Sequence, residues 1–160
     1  MIVADSGPLI TFARANKLEL LRKVIGTLVI PEAVYDEVVV KGEGKPGARE
    51  VAISSWVEVK KVHDRTKVGA LSEKLGAGEK EAIALVEEVN GVLLIDDPRA
   101  RIEAKERRIK LISSPDILQE AKDQNLIPNV GDTLDDLIRG GFRISDRLRQ
   151  DILKRAGETF

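Results

Sequence analysis

The sequence predicts an α/β fold in which a mainly parallel sheet is covered by helices on both faces. Three observations lead there. Short apolar runs, at 2–4 and 92–95 for example, alternate with longer segments of helical periodicity. The short runs are apolar throughout rather than at every second residue, as strands buried on both faces must be. Two of them are followed at once by aspartate, Asp5 in the first case and Asp96-Asp97 in the second. In an open parallel sheet, sites form outside the carboxyl ends of the strands.

Each element has its own justification. Residues 2–4 form the first strand, and 17–26 a helix with Leu18, Leu21, Val24 and Ile25 at helical spacing. Residues 27–31 are a second strand, with Pro31 at the first turn of the helix PEAVYDEVVV. Residues 41–47, KGEGKPG, are a loop by composition. Residues 48–55 read as helical, and 56–62 alternate as a strand does, beginning with Trp56. The segment 75–91 opens on glycines and stops at Asn90-Gly91, a helix with its termination signal. A strand at 92–95, a helix at 98–108 and a strand at 109–113 follow. Helices are then expected at 115–124, with Asp116 at its start, at 130–139 and at 145–156. No repeat or linker divides the chain, so residues 1–160 are expected to form one domain.

Composition narrows the function. Hydrophobic residues make up 42% of the 160, enough for a real core. No apolar run approaches the ~20 residues needed to cross a bilayer, and the N-terminus lacks a basic n-region and a small-residue cleavage site. A cytoplasmic, membrane-free protein is expected. The absence of cysteine excludes disulfides, thiolate nucleophiles and zinc–thiolate sites. A net charge of −1 argues against a uniformly basic nucleic-acid binder, though not against a local basic face. Charged residues reach 33%, against a usual ~25%, a balance found in proteins from hot environments.

The acids have two readings. Asp5 before Ser6-Gly7-Pro8, and Asp97 before Pro98, each suit a helix N-cap. Glu79 and Glu81 lie in a first helical turn, where the dipole favours acids, and Glu37 is one acid on a helix. Capping leaves Asp96 unexplained. Read together, Asp5, Asp96 and Asp97 leave one edge of the sheet, and Glu79 or Glu81 opens the helix leading into the later strand. Carboxylates gathered without cations raise one another's pKa values. A divalent ion removes that penalty, and an all-oxygen donor set suits Mg²⁺ or Mn²⁺. Such a site activates water and neutralises a phosphodiester.

Other chemistries have less support. His63 is the only histidine and is expected to be structural or superficial. GAGEKEA lacks the Gly-Lys-Ser/Thr of a phosphate loop. The run Arg99, Arg101, Lys105, Arg107 and Arg108 reads either as a solvated helix face with internal ion pairs or as a rim that follows RNA phosphates. Arg143, Arg147 and Arg149 form a second basic concentration. Aromatic residues, at 3%, provide no stacking platform for reading bases.

Several segments, taken in order, resemble the PIN-domain nucleases, and among them the VapC-like toxin ribonucleases and close relatives. They are Asp5-Ser6-Gly7-Pro8-Leu9-Ile10, then Ile30-Pro31-Glu32-Ala33-Val34 with Glu37, then Leu75-Gly76-Ala77-Gly78-Glu79-Lys80-Glu81-Ala82-Ile83, then Leu94-Ile95-Asp96-Asp97. Gly141-Phe142-Arg143-Ile144-Ser145 resembles one subgroup, and the likeness spans nearly the whole chain. The resemblance implies a three-layer α/β/α sandwich, an acidic pocket for Mg²⁺ or Mn²⁺, and metal-assisted hydrolysis of RNA. It implies Asp5 and Asp97 as principal metal ligands, with Glu79 and Asp96 beside them. Glu37 would orient water, and Ser6 and Glu81 would support the ligands. A small antitoxin and a homodimer are partners it suggests. Ile95 stands where many members have Thr or Ser, and Glu79 where many have aspartate. The primary acid within each pair, Asp96/Asp97 and Glu79/Glu81, is therefore left open. A non-catalytic metal- or partner-binding module and a housekeeping RNA- or DNA-processing nuclease are the competing readings.

Overall fold

Continuously apolar strand segments become the middle layer of the molecule. The structure, a computed structural model, describes residues 1–159. Its strands are β1 (Ile2–Ala4), β2 (Leu28–Pro31), β3 (Val57–Lys60), β4 (Val92–Leu94) and β5 (Lys110–Ile112). They form one sheet in the order β3-β2-β1-β4-β5, and every pairing is parallel. The chain builds outward from β1 to β2 and β3, then returns to β4 and β5 on the other side. The reversal lies between β1 and β4, where the helices leaving the two strands diverge and open a crevice.

Alternation along the strands divides the interior into two cores. Ala4, Leu28, Ile30 and Leu94 face α1 (Ser6–Arg14), α2 (Leu18–Ile25), α8 (Ser114–Asp123) and α9 (Val130–Arg139), meeting Leu9, Phe12, Leu21, Leu118 and Leu134. Val3, Val29, Leu93 and Ile95 face α6 (Ala77–Val89) and α7 (Pro98–Glu106), against Ala82, Ile83, Val86, Ala100 and Ala104. This is the expected three-layer α/β/α sandwich. Helix α6 ends as expected, with Asn90 in the left-handed region at φ 50°. Helix α10 (Asp146–Arg155) closes the first core with Ile152.

Three segments differ from expectation, the first being α1, for which the sequence offers a cap at Asp5 but no helix span. The helix expected over 31–40 is α-helical only over α3 (Glu32–Tyr35) and widens to a π-helical turn over Asp36–Val40, where the Lys41 N–H reaches the Asp36 carbonyl. Side-chain periodicity does not distinguish the two windings, and π turns are frequent at functional sites. Besides α4 (Ala48–Ile53), a short helix α5 (Arg65–Ala70) occupies a stretch to which the sequence assigns no element; Asp64 caps it. Among the described residues, no helix is long and apolar enough to cross a membrane.

The chain's last turn is held to α9 by one carboxylate. Glu158 accepts from the N–H groups of Val130 and Gly131, each at 2.8 Å, and from Lys122 Nζ at 2.9 Å. These donors hold its pKa below the ordinary 4.5 although burial opposes them. Glu158→Gln should cost about 1 kcal/mol at neutral pH, the scale of a carboxylate at a helix N-terminus. The contribution is complete above pH 4.5 and is lost as pH falls through the lower folded value. Urea midpoints at pH 7 and pH 3 should differ less in the variant than in the parent; equal differences would refute the assignment.

Candidate active site

The register of β1 and β4 brings the first acids together. Ile2, Val3 and Ala4 lie level with Val92, Leu93 and Leu94, and the Asp5 N–H bonds the Leu94 carbonyl at 3.1 Å. Asp5 therefore leaves the sheet beside β4, on the same face as Val3. It occupies the N-cap position of α1 yet makes no capping hydrogen bond. Its side chain is buried at 6% exposure, and Oδ1 is enclosed without a hydrogen-bond partner. A buried polar atom left unsatisfied costs free energy, so capping does not account for this aspartate.

Glu37 and Glu79 lie near enough for their charges to act on it, and Asp97 lies near Glu79. Glu37 projects from the π-helical turn, where Oε2 accepts from Ser6 Oγ at 2.7 Å and Oε1 from the Gly78 N–H at 2.9 Å. Glu79 accepts from the Gly76 N–H at 2.9 Å, closing the first turn of α6. Asp97 caps α7 with Oδ2, which accepts from the Ala100 N–H at 3.0 Å. Burial raises the Asp5 pKa to about 7, and Glu79 and Glu37 add to the rise. The nearby N–H groups of Ser6 and Gly7 pull it back only in part. Burial also raises the Glu79 pKa, helped by the negative charges of Asp97 and Glu37, while the Gly76 N–H opposes the rise. Among the described residues, no Lys or Arg is ion-paired to any of the four.

The remaining candidates are placed elsewhere. Asp96 does not join the group, although the sequence reading put it among the metal ligands. Strand alternation turns it toward α8 with Leu94, where Oδ1 accepts from the Ser114 N–H at 2.7 Å and Oδ2 from Ser114 Oγ. Burial raises its pKa, and Ser114 and Arg101 oppose the rise. Glu81 lies two residues beyond Glu79, about 200° around the helix. It accepts from the Ala33 N–H and pairs with Arg65 at 2.9 Å, so it supports α3 rather than the acids. Ser6 reaches the group only through Glu37.

Of the basic run, Arg107 pairs with Glu87, and Arg101 donates to the carbonyls of Ile95 and Ile112. Arg99 and Arg108 are exposed, and Lys105 lines a cavity beside Asp97. His63 is exposed and holds Glu88 through its backbone N–H, while Asp116 starts α8 with Ser113, as expected. Gly78 is the functional residue that sequence reasoning missed. Its N–H holds Glu37, and a Cβ there would stand 2.5 Å from Glu37 Oε1. The only signal was a second glycine just inside a helix, where glycine is otherwise unfavourable.

The donor set is all carboxylate, and one buried oxygen has no partner, so a hard divalent cation fits the chemistry of the group. Among the described residues, no three His, Asp or Glu side chains are placed together so as to hold a metal ion, so the carboxylates would have to move to bind one. Fold and site together define the class, an α/β protein with an acidic centre at the switch point of a parallel sheet. A family model described as DUF3368, PIN domain, matches residues 1–158, and the chain belongs to the PIN-domain family. A PilT N-terminus domain protein from the hyperthermophilic archaeon Sulfolobus solfataricus is similar in fold. Its structure matches with TM-score 0.51 and 20% identity, covering 72% of this chain and 88% of that one. No curated protein matches the sequence.

Two outcomes follow from this geometry. In chelator, the protein should lose stability as pH rises from about 4 to about 7, because folded Asp5 keeps its proton far above its ordinary 3.8. Asp5→Asn should flatten that fall in thermal melts at pH 5 and pH 8; an unchanged slope would refute it. Gly78→Ala gains roughly 0.5–1 kcal/mol at an unhindered helix position. Here it should lower the melting temperature instead, because its Cβ displaces Glu37, and a rise would show that Glu37 is not confined.

Proposed function

We propose that the protein is a Mg²⁺- or Mn²⁺-dependent endoribonuclease that hydrolyses phosphodiester bonds of RNA in the cytoplasm. The observation that carries the reading is the gathering of Asp5, Glu37, Glu79 and Asp97 at the carboxyl edge, with Asp5 Oδ1 buried and unpartnered. Membership of the PIN-domain family supports it.

Asp5, Glu79 and Asp97 would hold the metal. Asp5 offers an oxygen already out of water, and Asp97 keeps Oδ1 free while Oδ2 caps α7. When bound, the ion would acidify a water and neutralise charge on the phosphodiester. Glu37 would orient the attacking water. Each of its oxygens takes one protein donor and keeps a lone pair. Ser6 and Gly78 fix that carboxylate, so its position does not depend on the substrate. No side chain is needed as a covalent nucleophile.

In its narrowest form the proposal makes the protein the toxin of a toxin–antitoxin pair, supported by its likeness to the VapC-like branch. Expression should then arrest growth in the parent but not in Asp5→Asn; a housekeeping nuclease would not arrest it. The direct test is cleavage of a mixed single-stranded RNA pool with Mn²⁺ or with EDTA. Cleavage should require the metal, and Asp5→Asn and Asp97→Asn should each lower it by at least about a hundredfold. Asp96→Asn should retain most activity and lose stability. Wild-type cleavage by folded Asp5→Asn would overturn the assignment. Metal binding without cleavage of RNA or DNA would favour a non-catalytic binding module.

A further inference from the structure

A second feature adjoins the acids. A cavity of about 680 Å³ lies among α7, residues 141–144 and α10, and Asp97 is part of its wall. That volume falls within the ~300–1,000 Å³ of small-molecule sites. Phe142, Ile144 and Leu148 supply apolar surface, and Leu148 is 45% exposed. Lys105 and Arg143 are exposed cations on the same walls. Arg101 joins them, held by carbonyl oxygens instead of a carboxylate. Among the described residues, none of these three cations has an ion-pair partner.

A ligand matching these walls is anionic along one edge and flat and apolar along another, and it reaches Asp97. An unpaired nucleotide strand has that form, with phosphates on one side and bases free to leave water on the other. A duplex turns its bases inward and offers no apolar edge. An acidic peptide would satisfy the cations but has no reason to continue into a carboxylate cluster.

We propose that this groove binds the nucleotides adjoining the scissile phosphate of a single-stranded nucleic acid. A base would rest on Phe142, Ile144 and Leu148, and the backbone would pass Lys105 and Arg143. The inference rests on the nuclease reading for its direction, because Asp97 belongs to both places. It assigns a role to the Gly141–Ser145 motif, which the acidic centre does not use. One aromatic ring makes a single base site, not a stacking platform.

The test uses the full chain carrying Asp5→Asn to prevent turnover, in Mg²⁺, with fluorescence anisotropy of labelled ten-nucleotide probes. The probes are single-stranded RNA, single-stranded DNA of the same sequence, and the RNA duplex. Lys105→Glu with Arg143→Glu changes only exposed side chains and should weaken single-strand binding about tenfold or more. Phe142→Ala should weaken it about tenfold, and Phe142→Tyr should restore it. The duplex should bind more weakly than either strand. Retention of DNA as well as RNA would support a site for unpaired strands of either sugar. Equal binding by the parent and both groove variants would overturn the inference. So would no binding of either strand by the parent, which would leave the groove to a protein segment. Cleavage by the chain with Asp5 intact separates the two readings. Cleavage with groove-independent binding sinks the groove and keeps the nuclease; groove-dependent binding without cleavage does the reverse.

Discussion

The in-register pairing of β1 with β4 is the constraint from which the site follows. Because Ala4 lies level with Leu94, the residues leaving the two strands emerge side by side. Helices α1 and α7 then diverge to opposite faces of the sheet, and residues 5 and 97 stand at the crevice between them. A one-residue slip in this pairing would turn every side chain of β1 to the other face. It would send Asp5 into the core with Leu9 and Phe12 and bring Ala4 to the crevice. That slip would repack both cores and leave the Asp5 carboxylate among apolar side chains, so the core fixes the chemistry.

Having delivered the acids, the fold holds them against their mutual repulsion. Asp5 is buried, unpaired and raised to about 7. Glu79 is pushed upward by Asp97 and Glu37 as well as by burial. A site selected for stability alone would place an arginine here, as it does opposite Asp116 and Asp135. The strain persists because two helix starts use the same residues locally. Asp97 caps α7, Glu79 closes the first turn of α6, and the Gly78 N–H of that turn holds Glu37. Local bonds that would form without any ligand thus anchor carboxylates that raise one another's pKa values.

Much of this was legible in the sequence, for identifiable reasons. The three short strands around β1 are continuously apolar because helices cover both faces, so their positions and the parallel sheet could be read directly. Helix α6 announces both ends, with glycines at one and Asn90-Gly91 at the other. The π-helical turn was not legible, since Asp36–Val40 has the composition of an ordinary helix and its widened winding is settled by packing. Helix α5 was missed because its six residues bury no apolar stripe.

By itself the sequence determined the fold class, the order of the elements and the set of acids from which the centre is drawn. Alternation and periodicity carry that information over a few residues at a time. Only the tertiary structure decided which acids meet. Asp96 and Asp97 are equivalent as neighbours in a sequence, as Glu79 and Glu81 nearly are. Strand alternation turns Asp96 to Ser114, and about 200° of helix turns Glu81 to Arg65. The same is true of the Glu37–Gly78 contact, which joins residues 41 positions apart. A carboxylate's partners depend on the direction of its side chain and on what long-range packing has brought there, and neither is written in the local order of residues.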